Sequence, residues 1–185
     1  MTHENNLIKV LTEEHRTMEG VFGELESHHG YSRDRKGLVD HALAETVRQW
    51  TAEERYVFPE LRRQLPDGEA LVRHEIDEHH RIDSLMKDLE VFGTGHPHFE
   101  QKLREFIDDY RHHAQDEEQN LVPRLQQSCT EAKLEELGDK LVHVRETAPT
   151  RPHPQAADAI PADRILEPGA GFMNRIRDSI RPGAM

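Results

Sequence analysis

The feature that most constrains this chain is an internal repeat, because its two halves match at one fixed offset of 64 residues. His15 stands over His79, Glu53 over Glu117, Glu54 over Glu118 and Pro59 over Pro123, with Glu14 over Glu78 and Leu25 over Leu89. These polar matches outnumber what shared packing geometry requires. Each half reads as a helix bearing Glu-His followed by a helix bearing Glu-Glu-x-x-x-x-Pro, so two helix hairpins related by pseudo-twofold symmetry face each other.

Hydrophobic spacing supplies the helices. Leu7, Leu11, Met18, Phe22 and Leu25 recur at helical intervals up to His28-His29-Gly30. A second run, from Leu38 through Val47, Trp50 and Phe58 to Leu61, stops near Pro66-Asp67-Gly68. A third run spans Leu71 to Leu89 and breaks at Gly93-Thr94-Gly95-His96-Pro97, and a fourth runs from Phe99 through Tyr110 to Leu121. Short turns between long helices imply antiparallel neighbours, so the expected fold is all-α: an antiparallel up-down four-helix bundle. Pro59 and Pro123 fall late in the second and fourth helices, where each removes a hydrogen bond and should kink or loosen the last turns. Residues 131–147 predict a short fifth helix covering one end, which completes a domain over residues 1–147. Residues 148–171 read as a Pro-rich linker, and 172–185 as a short amphipathic tail.

Composition narrows the function. Lys plus Arg number 24 against 36 Asp plus Glu, a formal charge of -12, so the average field repels phosphate and argues against a nucleic-acid partner. One cysteine, Cys129, excludes an internal disulfide or a cysteine-rich metal cage and reads as an inert thiol. The chain shows neither an export signal nor an apolar stretch of membrane-spanning length, so a cytoplasmic protein is expected, as a monomer or weak homo-oligomer. Fourteen histidines are the compositional oddity, since neutral imidazole readily binds transition metals.

The repeat turns that excess into a site. Each half supplies one imidazole and one carboxylate, and His113 lies four residues before Glu117, on the same helix face about one turn away. Two carboxylates from symmetry-related helices suit bridging a pair of ions about 3.5–4 Å apart, with imidazoles capping them. Mixed nitrogen and oxygen donors without thiolate suit iron or manganese, and zinc stays open.

At these residues the chain resembles the hemerythrin-like, or HHE cation-binding, family over roughly residues 7–147. The clearest matches are His113-Ala114-Gln115-Asp116-Glu117-Glu118-Gln119-Asn120-Leu121-Val122-Pro123 and Gln49-Trp50-Thr51-Ala52-Glu53-Glu54-Arg55-Tyr56-Val57-Phe58-Pro59. The resemblance implies two non-haem iron ions, bridged by carboxylate and by oxo or hydroxo groups, with Glu53 and Glu117 bridging and His15, His79 and His113 terminal. It also implies a small ligand: O2, hydrogen peroxide or nitric oxide.

Two departures from the family pattern matter. Gln49 stands where the first-half histidine belongs, which leaves one metal with a water, a substitute ligand or a weaker hold. Glu75 stands where the oxygen carriers have a further histidine, while adjacent His74 points about 100° away on an ideal helix. A carboxylate-richer site favours ferric iron and reaction over reversible carriage.

Glu54 and Glu118 read as solvated charges, with a role at or behind the metal as the alternative. Tyr110 and Tyr56 either pack or hydrogen-bond a bound oxygen species, and Trp50 reads as core. His41 with Glu45, although spaced like a ligand pair, reads as surface, as do His80 and His112. The residues leave catalysis of a reaction such as peroxide disproportionation open beside a non-enzymatic iron or oxygen sensor or store, and the matched His and Glu positions argue against a metal-free interaction module.

Overall fold

The computed structural model describes residues 5–27 and 33–147; the Pro-rich linker, the amphipathic tail, His28 and His29 lie outside the described residues. The first helix, α1 (Leu7–Ser27), starts where the Asn6 side-chain oxygen accepts the Ile8 N–H at 2.9 Å and so satisfies one of the unpaired donors of a helix N-terminus. One stripe of α1 is buried: Leu7, Val10, Leu11, Met18, Phe22 and Leu25, interrupted by Glu14 and His15. At its other end, buried Arg35 donates to the Leu25 carbonyl and pairs with Glu100 at 2.7 Å.

The second rod comprises α2 (Arg33–Ala52), a π turn (Glu53–Val57) and α3 (Phe58–Gln64). The third is α4 (Gly68–Val91); the fourth comprises α5 (Phe99–Asp116), a π turn (Glu117–Leu121) and α6 (Val122–Ser128). Packing of α1 on α2, α3 on α4, α4 on α5 and α5 back on α1 closes the antiparallel four-helix bundle. Leu43, Phe58, Ile82, Met86, Phe106 and Tyr110 are among the side chains that fill its interior.

At each proline the interruption expected from sequence takes the form of a widened turn. The Phe58 N–H bonds to Glu53 O and the Val122 N–H to Glu117 O, each one residue farther back than in an α-helix. The widened turn absorbs the proline's missing donor and its ring, so each rod resumes α-helical winding with Pro59 or Pro123 in the first turn of the next segment.

The fifth helix of the sequence reading is α7 (Glu131–Thr147), which is 17 residues long rather than short and packs against α1, α2 and the first π turn. Gly138 on α7 is the point of closest approach: a Cβ placed there would stand 1.7 Å from the Asn5 carbonyl oxygen. Asn5 donates to Asp139 at 2.9 Å and Asn6 to Glu131 at 3.0 Å, so this contact fixes the entry of α1. Gly138→Ala should therefore lose about 1–3 kcal/mol in urea titration, overriding the helix propensity an alanine adds. Gly20→Ala, on α1 with nothing near its would-be Cβ, should instead gain about 0.5–1 kcal/mol.

Candidate metal centre

Helices α1, α2, α4 and α5 bring a set of polar side chains into an otherwise apolar interior. His15, Glu53, His79 and Glu117, singled out by the repeat, and His113, singled out by its spacing from Glu117, are all buried there, and Glu75 and Gln49 join them. His15 Nε2 lies 3.2 Å from Glu117 Oε2, His79 Nε2 lies 3.6 Å from Glu53 Oε2, and His113 Nε2 lies 3.8 Å from Glu117 Oε2. Donor atoms of Glu53, His79 and His113 fall within 4.8 Å of one another, as do those of Glu75, His113 and Glu117.

Six atoms of this cluster carry no hydrogen bond among the described residues: Nε2 of His15, His79 and His113, and Oε2 of Glu53, Glu75 and Glu117. Unsatisfied buried polar atoms cost about 1–3 kcal/mol apiece, so six in one place need an explanation beyond packing. A bound cation supplies it, since every one is a lone-pair donor of the kind that hard and borderline metals accept.

The opposite nitrogen of each imidazole is occupied. His15 Nδ1 pairs with Glu118 at 2.9 Å, His79 Nδ1 with Glu54 at 3.0 Å and His113 Nδ1 with Glu78 at 2.9 Å. A ring that donates from Nδ1 to its carboxylate keeps Nε2 free to face the centre, which is the tautomer a metal requires. Glu54 and Glu118, read from sequence as solvated, are nearly half exposed and still do this work. Glu78 had its signal in the repeat, where its match to Glu14 carried no role. Trp50 is core as expected, but it also stacks on His79 at 4.3 Å with an interplanar angle of 7°.

The first half departs at Gln49. Its amide donates to Glu53 at 2.9 Å and its oxygen accepts the Tyr110 hydroxyl at 2.7 Å, so both ends are committed. Glu14, the counterpart of Glu78, therefore faces no imidazole and instead pairs with buried Arg48 at 3.2 Å, which also holds Glu45. Arg48 had no signal beyond adjoining Gln49. His74 sits outside, exposed, 3.7 Å from Asp116, and His80 and His112 are exposed as expected.

Charge is poorly balanced in this pocket. Burial and the neighbouring Glu117 push the Glu53 carboxyl well above its ordinary range, and the same two causes raise Glu75 to about 8. Burial also opposes ionisation of Glu117, but His113 and His15 outweigh it and hold that carboxyl low. Burial lowers His79, whereas in His15 it is outweighed by Glu117 and Glu118. Carboxylates crowded together out of water hold protons in place of missing positive charge, and a multivalent cation displaces those protons. Cys129 lies apart, its thiol raised by burial, in keeping with an inert role.

A helical bundle closing around such imidazole and carboxylate donors defines a cation-binding domain. The chain matches the family model for the Hemerythrin HHE cation binding domain over residues 6–125, and it belongs to that family. It is 20% identical over 166 residues to an uncharacterized hemerythrin-like protein of Schizosaccharomyces pombe, covering 89% of this chain and 81% of the relative. The fold resembles the crystal structure of a Hemerythrin HHE cation binding domain-containing protein from Mycobacterium kansasii, with a TM-score of 0.67, 24% identity, and coverage of 76% of this chain and 86% of that one.

Glu75 generates a pH prediction. A carboxyl whose folded pKa is raised stabilises the fold below its unfolded pKa, and that contribution is lost as pH rises through the folded value. In metal-free protein, the stability of Glu75→Gln relative to the parent should therefore rise between about pH 4.5 and pH 8, by up to about 1.4 kcal/mol per pH unit, in urea titrations at stepped pH.

Proposed function

We propose that the centre holds a pair of non-haem iron ions and that the protein binds or reacts with a small ligand, O2, hydrogen peroxide or nitric oxide. The observation that carries this is the convergence of three imidazole nitrogens and three carboxylate oxygens that are buried and make no hydrogen bond among the described residues. Glu53 and Glu117, on opposite repeats, are the bridging residues of this reading, and His15, His79, His113 and Glu75 the terminal ones. The donor set has no thiolate and is rich in carboxylate, which suits iron in its ferric state better than zinc. Iron held there supplies a Lewis-acidic coordination position and one-electron redox chemistry.

The chain's own residues set the terms of that chemistry. Glu118, Glu54 and Glu78 fix the three rings and raise their basicity. Tyr110 points its hydroxyl to Gln49 and so orients the amide whose nitrogen holds Glu53, which makes Tyr110 a positioning residue. Because Gln49 stands where an imidazole would add a nitrogen donor, one of the two ions would be held more weakly than the other. No helix among the described residues is long and apolar enough to cross a membrane.

Iron counting on reconstituted full chain should give two ions per chain, with one leaving to a chelator well before the other. Gln49→His should slow that first loss by about 10–100-fold, the scale of ligand-shell effects on metal affinity. Catalytic consumption of peroxide or nitric oxide, lost in His113→Ala, assigns an enzyme; a single stoichiometric oxidation assigns a sensor or store. Protein that takes up no iron refutes the reading.

A further inference from the structure

The repeat that builds the centre packs its two sides differently. Trp50 is buried and lies flat against His79, sealing that imidazole within the bundle together with Phe58, whose ring centroid is 5.6 Å away. The 64-residue offset that relates His79 to His15 relates Trp50 to Ala114, so the indole has a methyl group as its counterpart. Where a second large ring would stand there is a groove of about 250 Å³ between α1 and α5, lined by His15, Arg16, Tyr110, Arg111, Ala114 and Glu118 among others.

A second void beside the centre is much narrower. A void of about 40 Å³ reaches Gln49 from the α1 and α2 side, space for about one water molecule, and the Arg48 pair with Glu14 lies across it. Arg111, at the wider groove, joins α5 to α1 through Glu19 at 2.9 Å and Glu26 at 2.8 Å.

We propose that this groove is the route by which the small ligand enters, passing the His15 imidazole, and that Ala114 keeps it open. The proposal rests on the metal-binding reading given above.

The test uses the iron-loaded full chain with azide, a small anion whose binding to ferric iron is read by absorbance in stopped flow. Ala114→Trp restores the missing ring and should slow azide association by about tenfold or more at unchanged iron content, with Ala114→Leu intermediate and available should the larger substitution fail to fold. A second readout needs no metal: in the metal-free chain, diethyl pyrocarbonate should acylate His15 faster than His79 and His113 by peptide mass mapping, and either variant should remove that lead. Azide binding at the parental rate in iron-retaining variants, or equal acylation of the three histidines in the parent, overturns the entry route while leaving the metal centre standing. A parent that holds no iron, or holds iron and never binds azide, brings down the functional reading and this inference with it.

Discussion

The interaction on which the structure depends is the one between buried carboxylates and the groups that compensate their charge. A helix bundle buries apolar stripes easily, but Glu53, Glu75 and Glu117 are all taken out of water around His113, whose donor atoms lie within 4.8 Å of a carboxylate oxygen of each. Three imidazoles, each backed by a carboxylate of its own, answer them only partly. The result is a pocket that is electrostatically incomplete as protein alone, so cation binding and bundle stability are linked.

The pseudo-twofold repeat is kept where it serves this centre and broken in a consistent direction elsewhere. In the second half His113 is backed by Glu78; in the first half Gln49 turns to Tyr110 and Glu53, and Glu14 is left to Arg48. A carboxylate stranded in the interior is costly, and a guanidinium from the next residue along α2 supplies both the charge and the donors it lacks. Trp50 against Ala114 is a second break. The two halves of the repeat thus differ in packing, one with an indole against its imidazole and the other with a methyl group at the matching position.

Much of this was legible in the sequence, for specific reasons. Leu7 to Leu25 and Phe99 to Leu121 repeat at helical spacing, so the bundle followed from periodicity, and matching polar positions across halves picked His15, His79, Glu53 and Glu117 out of many histidines and acids. What escaped depends on geometry that a regular helix does not have. Neighbouring Glu53 and Glu54 were assigned different directions from an ideal rotation, and the π turn at Glu53–Val57 changes the local winding while both reach His79, one at each nitrogen. Pro59 and Pro123 signal an interruption, but whether the chain loosens or widens there is settled by packing. Arg48 is invisible beforehand because its duty arises only once Gln49 has left Glu14 without a ring.

The seam between Asn5, Asn6 and α7 bears on how the chain assembles. Its hydrogen bonds join residues 134 and 125 positions apart, and the Gly138 contact lies in the same seam. During synthesis, the first turn of α1 cannot acquire its final neighbours until α7 has cleared the ribosome, although hairpins of adjacent helices form from local contacts alone. Closure of the seam is then a late step of maturation, and until it occurs one flank of α1 stays bare to other nascent chains.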